Sequence, residues 1–289
     1  MFVQLLINGV LLGGVYALMA VGLTLIFGVI RIVNFAHGDF VMVGMYMTFF
    51  LYSFFNMNPY VAIFIVTPCM FLIGWLINFF LIKKVVGKPA VVQIFVTVGL
   101  SQMLMSSALM LFNADFLQVP TSYSTKSLHM GSLLIGVPQI IAFVISMGVY
   151  TLLYYFLHHS YTGKAIRSTA QNRESATLMG VNINKIYMLT FAIGTALTGL
   201  CAALLMPMYP VFPTIGLNFV LMTFVVVVMG GLGSIPGALL GGLSIGIIET
   251  MSAYVFDPGW KQAIYFGVFI ILLVVRPQGF FGQIGAEEL

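Results

Sequence analysis

Long apolar runs recur along the whole chain, and they restrict its fold more than any other feature of the sequence. Only 6% of the 289 residues are charged, whereas 61% are hydrophobic. A helix needs about 20 consecutive apolar residues to cross the hydrocarbon core of a bilayer. We therefore predict an all-α fold, a polytopic transmembrane helical bundle that forms a single domain over residues 1–289.

Nine apolar runs qualify as candidate membrane spans. The glycine-rich part, 218–256, forms either two full spans or a re-entrant element, and 262–275 is short for a span, so eight or nine spans are predicted. The candidate spans are 5–30, 40–56, 61–82, 91–113, 138–158, 186–208, 218–232, 238–256 and 262–275. No positive residue precedes the first run, so we expect it to be a retained span and not a cleaved signal peptide.

The positive charges predict an orientation. If the spans alternate in direction, nine of the eleven Lys and Arg residues fall on one side of the membrane. Positive residues accumulate in the cytoplasmic loops of membrane proteins. The bias predicts an N-terminus outside, a C-terminus inside, a cytoplasmic loop at 159–185 and an outer loop at 114–137.

The loop at 159–185 is the most polar part of the chain and has its own helix signals. We predict that Thr162 caps a helix over 163–171 and that Asn184 caps the next membrane span. Five charged residues lie in this loop, namely Lys164, Arg167, Arg173, Glu174 and Lys185.

A second short helix is predicted in the same loop over 173–179. Asn172 would cap this helix and Gly180 would end it as the residue that turns left-handed. An apolar patch with charged neighbours could dock in a groove of another protein. The alternative is an amphipathic helix that lies on the membrane surface. The patch and its charged neighbours are Ala176, Leu178, Met179, Arg173 and Glu174.

The first span is followed by a polar break, I-V-N-F-A-H-G-D-F, which contains Asn34, His37, Gly38 and Asp39. One interpretation is a cytoplasmic turn in which Arg31 pairs with Asp39. The other is a helix that unwinds while still inside the membrane, which is tolerated where the backbone is buried in protein or lines a wet cavity. His37 and Asp39 would then be pathway or hinge residues.

A second break, G-G-L-G-S-I-P-G, covers residues 230–237. Gly233, Gly237 and Gly241 share one helix face wherever this segment is helical, and small residues at that spacing allow close helix packing. Pro236 is expected to bend or end the helix. A re-entrant turn that permits movement is the second interpretation, and the two are compatible.

Glu249 is the most isolated acidic residue, since it lies within the candidate span 238–256. An ionisable group there needs a partner, water or a proton. A local structural hydrogen bond and a functional role in the pathway both remain open.

The sequence contains no motif that predicts an enzyme. It has no metal-binding spacing, no nucleophile elbow and no G-x-x-x-x-G-K-[ST] phosphate loop. We therefore expect no catalytic residues, no metal and no cofactor, and no ATP hydrolysis by this chain itself.

Three motifs in register resemble one family of membrane proteins. G-K-A-I-R-S-T-A-Q-N-R-E-S-A-T-L-M-G-V-N at 163–182 resembles the cytoplasmic coupling loop of ABC importer permeases of the branched-chain amino acid (LivH) type. The stretches at 32–46 and 230–241 resemble two further signatures of that family. The order, spacing and number of spans fit as well, so the resemblance covers essentially the whole chain.

The resemblance implies a transport subunit with several partners. These are a second, related permease, two cytoplasmic ATPases that bind ATP, and a periplasmic binding protein that delivers a branched-chain or related hydrophobic amino acid. By position, the resemblance makes Glu174, Ala176, Leu178, Met179 and Gly180 coupling residues. It places Asn34, His37, Gly38 and Asp39 near the pathway.

Other functions remain open at this stage. Similar permeases carry urea, short amides or other amino acids. A different class, an ion-coupled secondary transporter, would use Asp39, His37 and Glu249, but so few acids within the spans disfavour it.

Overall fold

The computed structural model describes residues 2–281, apart from residues 122, 125, 131–132, 257 and 277. Most of the described chain is helical. In chain order the elements are α1 (Phe2–Ile30), α2 (His37–Phe55), α3 (Pro59–Ile77), a π-helical turn (Asn78–Ile82), α4 (Lys83–Val85), α5 (Ala90–Phe112), β1 (Ser127–Met130), β2 (Leu133–Gly136), α6 (Val137–His159), α7 (Tyr161–Gln171), α8 (Arg173–Leu178), α9 (Ile183–Leu205), α10 (Ile215–Gly230), α11 (Ile235–Val255), a 3-10 turn (Pro258–Trp260) and α12 (Lys261–Val275).

Each of the nine predicted spans has a helix in its place, which confirms a polytopic helical bundle. Within the described residues, seven helices are long and apolar enough to cross a membrane. The other two are α10, with 16 residues, and α12, with 15 residues. At 1.5 Å per residue they rise only about 24 and 22 Å, which is less than a bilayer core of about 30 Å.

Two helices form the centre of the bundle. In α1 and α9, 83% of the most apolar 18-residue window is buried, against 17% in α5 and 22% in α6. The hydrophobic exterior of α5 and α6 therefore faces the surroundings of the subunit. A helix that is apolar all round belongs in such a core or in a membrane.

Glycines set the close approach of α1 and α11. A Cβ atom added at Gly9, Gly13, Gly242 or Gly246 would collide with the backbone of the facing helix. Gly28, near the end of α1, faces Gly233, just before α11 begins, so the two helices run antiparallel. Small residues allow this approach where water supplies no driving force.

The predicted outer loop at 114–137 contains a short β-hairpin that the sequence did not indicate. Strands β1 and β2 pair antiparallel, with Ser127 opposite Gly136 and Leu128 opposite Ile135. Leu117, earlier in the same loop, exchanges backbone hydrogen bonds of 2.8 and 2.9 Å with Val211. These bonds tie the loop to the connection between α9 and α10.

Candidate functional site

The chain folds back into the bundle between α1 and α2. The first helix ends at Ile30, Arg31 takes a left-handed φ of 59°, and residues 31–36 form no regular helix. The imidazole Nε2 of His37 then lies 3.1 Å from the carbonyl oxygen of Met19. Met19 precedes the end of α1 by about 16 Å along the helix axis, at 1.5 Å per residue. The second helix therefore begins deep inside the bundle.

The irregular backbone between these helices is buried in protein. Asn34, His37 and Asp39 are buried, whereas Arg31 is exposed. Thr97 on α5 donates a hydrogen bond of 3.0 Å to the carbonyl oxygen of Val33. The structure thus has an unwound segment inside the bundle, as the second interpretation predicts, and lacks the Arg31–Asp39 pair, because α2 starts inside the bundle and carries Asp39 away from the surface.

The first turn of α10 meets the first turn of α2. The connection 206–214 is partly buried and places Gly216 beside Gly38, so closely that a Cβ on Gly38 would collide with the Gly216 carbonyl. A Cβ on Gly216 would in turn collide with the Asp39 carboxylate. Helix N-termini carry partial positive charge. Asp39 therefore places a negative charge where two helices begin.

Several buried polar groups at this junction have no hydrogen-bond partner among the described residues. They are both carboxylate oxygens of Asp39, both side-chain amide atoms of Asn34 and Nδ1 of His37. The Ser101 hydroxyl is close to Asp39 without reaching hydrogen-bond geometry. An unsatisfied buried polar group costs about 1–3 kcal/mol. A hydrogen bond from water or another polar ligand would remove this cost.

The glycine-rich break forms a turn followed by a new helix. Gly233 has a left-handed φ of 82° and precedes α11, so the segment is helical only at Gly237 and Gly241, and the shared helix face is limited to these two glycines. The prediction that Pro236 bends or ends the helix is wrong. It lies in the first turn of α11, where its missing N–H costs nothing, and it neither bends nor ends the helix.

Close packing at this break is confirmed. A Cβ on Gly237 would collide with the carbonyl of Gly230, and a Cβ on Gly241 with the carbonyl of Val226. The two glycines on α11 thus face α10. Residues 218–256, left open by the sequence, form two helices joined by residues 231–234.

Glu249 belongs to a different polar cluster. Its Oε1 lies 3.9 Å from Nζ of Lys261, and the two side chains are 12% and 37% exposed. The phenol groups of Tyr16, Tyr209 and Tyr265 lie around the carboxylate. The structure does not join Glu249 to the α2–α10 junction, and its contacts favour a local structural interaction.

The polar loop forms the two predicted helices, but two of its three predicted caps are wrong. Ser160, and not Thr162, accepts the bond from the backbone N–H of Gly163, at 2.9 Å. Asn182, and not Asn184, accepts from Lys185, at 3.1 Å. The reason is that α7 and α9 each begin earlier than the sequence suggested, at Tyr161 and Ile183.

The third predicted cap and the helix stop are confirmed. The Asn172 side chain accepts a bond of 2.9 Å from the backbone N–H of Ser175 at the start of α8. Gly180 follows the helix with a left-handed φ of 83°. The six-residue helix α8 is therefore fixed at both ends.

Helix α8 presents apolar side chains to the outside of the subunit. Leu178 is 88% exposed and Met179 is 83% exposed, beside exposed Arg173 and Glu174. Ala176 is only 1% exposed, so its predicted place in the patch is wrong. It lies on the inner face of the helix, where its carbonyl accepts a bond of 3.0 Å from the N–H of Val181.

Sequence reasoning missed one exposed aromatic residue and one contact. Tyr161, at the start of α7, is 84% exposed. The contact between Gly38 and Gly216 had no local signal, because 177 residues of chain separate the two glycines.

Comparison with known proteins gives full-length matches. Residues 5–273 match the family described as "Branched-chain amino acid transport system / permease component". The high-affinity branched-chain amino acid transport system permease protein BraD of Pseudomonas aeruginosa is 32% identical, with 100% of this chain and 98% of BraD covered. The permease LivH of Escherichia coli K12 is 29% identical over the same shares of the two chains.

A sugar permease matches more weakly. The ribose import permease protein RbsC of Haemophilus influenzae is 26% identical over 74% of this chain and 68% of RbsC. No solved structure gives a significant match.

Proposed function

Since the chain belongs to the family of permeases of branched-chain amino acid transport systems, we propose that it is one permease subunit of an ATP-driven importer in the bacterial inner membrane. Its N-terminus lies in the periplasm and its C-terminus in the cytoplasm. The distribution of Lys and Arg supports this orientation.

The exposed pair Leu178 and Met179 carries the proposal most directly. Two large apolar side chains in water are unfavourable unless a partner covers them. They lie on a helix that is fixed by Asn172 and Gly180 and connected through α7 and α9 to the core. Such an element can transmit the movement of a cytoplasmic ATPase into the membrane bundle. ATP is bound by two such partner subunits, and this chain supplies no ATP site and needs no cofactor.

The substrate and the remaining partners follow from the family. We propose that a periplasmic binding protein delivers a branched-chain or related hydrophobic amino acid. A second, related permease forms the other half of the translocation path. The apolar faces of α3, α5, α6 and α12 provide surface for lipid and for that second subunit.

The test is uptake by the complete transporter in proteoliposomes. The permease pair, the ATPases and the binding protein are reconstituted, and uptake of radiolabelled L-leucine, L-isoleucine and L-valine is measured with ATP inside the vesicles. We expect uptake only with ATP and the binding protein together. Uptake driven by a sodium or proton gradient without ATP would overturn the proposal. Transport of urea but not of amino acids would show that the proposed substrate is wrong.

A further inference from the structure

Helix α5 contacts the rest of the subunit along one narrow side only. Its buried residues are Thr97, Leu100 and Ala108. The opposite side faces away from the subunit along the whole helix. The polarity of the residues on this outward side therefore indicates whether lipid, protein or water surrounds the helix at each position.

One row of outward positions on α5 has large apolar side chains near its ends and small or polar residues in its middle, with exposed Val98 and Met103 beside it. Near the ends it carries Phe95, 72% exposed, and Leu109, 50% exposed. Between them lie exposed Gly99, exposed Gln102 and half-buried Ser106. Successive members of this set are three or four residues apart, so all five share one helix face. We call Gly99, Gln102 and Ser106 the α5 stripe.

A carboxamide is unfavourable in lipid at this depth. Gln102 lies next to the centre of the 23-residue helix, and its Nε2 donates a hydrogen bond of 3.3 Å to Oγ of Ser106. That bond uses one of its two N–H donors and leaves its carbonyl oxygen free. Gln side chains within membrane spans hydrogen-bond across helices, and ionisable side chains there face the interior of a bundle or a water-filled cavity. The outward face of α6 also has a glycine and a hydroxyl group in its middle, at exposed Gly148 and Thr151, but the Thr151 hydroxyl donates to its own helix, and this face carries no carboxamide.

The inner side of the same helix supports the junction of α2 and α10. Thr97 holds the Val33 carbonyl of the unwound segment, and Ser101 neighbours Asp39. A single helix thus separates the α5 stripe from the polar junction.

We propose that the α5 stripe lines the substrate path, where this subunit faces the second permease subunit, and that the Gln102 carboxamide contacts the charged head group of the transported amino acid. A carboxamide can donate to the substrate carboxylate and accept from its ammonium group. The inference rests on the proposed function, because it takes the substrate to be an amino acid and the occupant of this face to be a second permease.

The test measures water access with single cysteines in the complete transporter. Cys69 is replaced by Ala, and Cys201 is kept because it is fully buried. Gln102→Cys and Ser106→Cys are compared with Val144→Cys, at an exposed apolar position of α6. Labelling by a charged methanethiosulfonate reagent is followed in membrane vesicles with and without L-leucine and the binding protein.

A water-lined path predicts labelling of Gln102→Cys at least about tenfold faster than of Val144→Cys, because the thiolate that reacts forms only in a polar environment. We also expect L-leucine to slow this labelling. Equal rates at the two positions would overturn the inference, and so would fast labelling at 102 and 106 that L-leucine leaves unchanged. Failure of the proposed function is seen separately, as a lack of ATP-driven L-leucine uptake by the transporter without added cysteines.

Discussion

Gly38 and Gly216 lie so close together that the backbones of the first turns of α2 and α10 are in contact. A methyl group on Gly38 would collide with the carbonyl oxygen of Gly216 and the backbone N–H of Val220. Asp39 and Asn34 are buried beside this contact without hydrogen-bond partners among the residues that the structure describes. A change in the packing of Gly38 against Gly216 would therefore also displace the buried polar groups of Asp39 and Asn34.

We expect Gly38→Ala to destabilise the protein by about 1–3 kcal/mol, as overpacking of a tight core does. The matched control is Gly148→Ala on α6, where an added Cβ meets nothing within 4 Å. Thermal unfolding in detergent, monitored by size-exclusion chromatography, should give a lower midpoint temperature for Gly38→Ala than for the wild type, and an unchanged one for Gly148→Ala. Equal midpoints for both variants would show that α2 and α10 do not meet as described.

A second prediction concerns Glu249. Its partner Lys261 is partly exposed and 3.9 Å away, so the attraction between them is modest. Glu249→Gln should therefore lower stability by about 1 kcal/mol or less and keep most transport activity. Uptake of L-leucine by the reconstituted variant measures this. A variant that assembles normally but does not transport would instead make Glu249 a functional residue of the pathway.

The proposed topology is tested by labelling from each side of the membrane. Single cysteines at Lys88 and Glu174 should react with an impermeant reagent only from the cytoplasmic side. A cysteine at Lys126 should react only from the periplasmic side, because the spans alternate and the positive loops stay inside. Labelling of a cysteine at position 174 by the impermeant reagent from the periplasmic side would show that the proposed orientation is wrong.

The spans could be predicted from the sequence because hydropathy is a local property. Every predicted run forms a helix. Asn172 caps the start of α8, and Gly180 takes the left-handed conformation just after its end, as these residue types favour. The same local signals misplaced the caps of α7 and α9, since Thr162 and Asn184 are equally good capping residues by type and only the packing decides between them and the true caps.

The polar junction could be predicted only in part. The residue types at Asn34, His37 and Asp39 indicated an unwound helix, but nothing local distinguished it from a surface turn. The depth of the junction is shown by the contact of His37 with Met19. The α10 side of the junction is formed by Gly216, which is far from His37 in the sequence. Ala176 is a similar case, because periodicity over six residues does not say which face of α8 turns inward.

The central claim is that α8 docks on a cytoplasmic ATPase through Leu178 and Met179. Truncating both to alanine removes several methylene and methyl groups from the interface, at about 0.8 kcal/mol each, and Glu174→Lys adds a like-charge clash where the groove rim is basic. No membrane span is changed, so expression should remain normal. The control truncates Leu128 and Leu134, two exposed leucines on the hairpin.

The decisive measurement is the amount of ATPase subunit that co-purifies with the permease from detergent, together with substrate-stimulated ATP hydrolysis. We predict a loss of at least about tenfold in ATPase binding affinity, equivalent to about 1.4 kcal/mol, for the Leu178→Ala, Met179→Ala, Glu174→Lys variant. The hairpin control should bind like the wild type. A triple variant that keeps its ATPases and couples ATP hydrolysis to uptake normally would contradict the assignment of residues 172–180 as the coupling element.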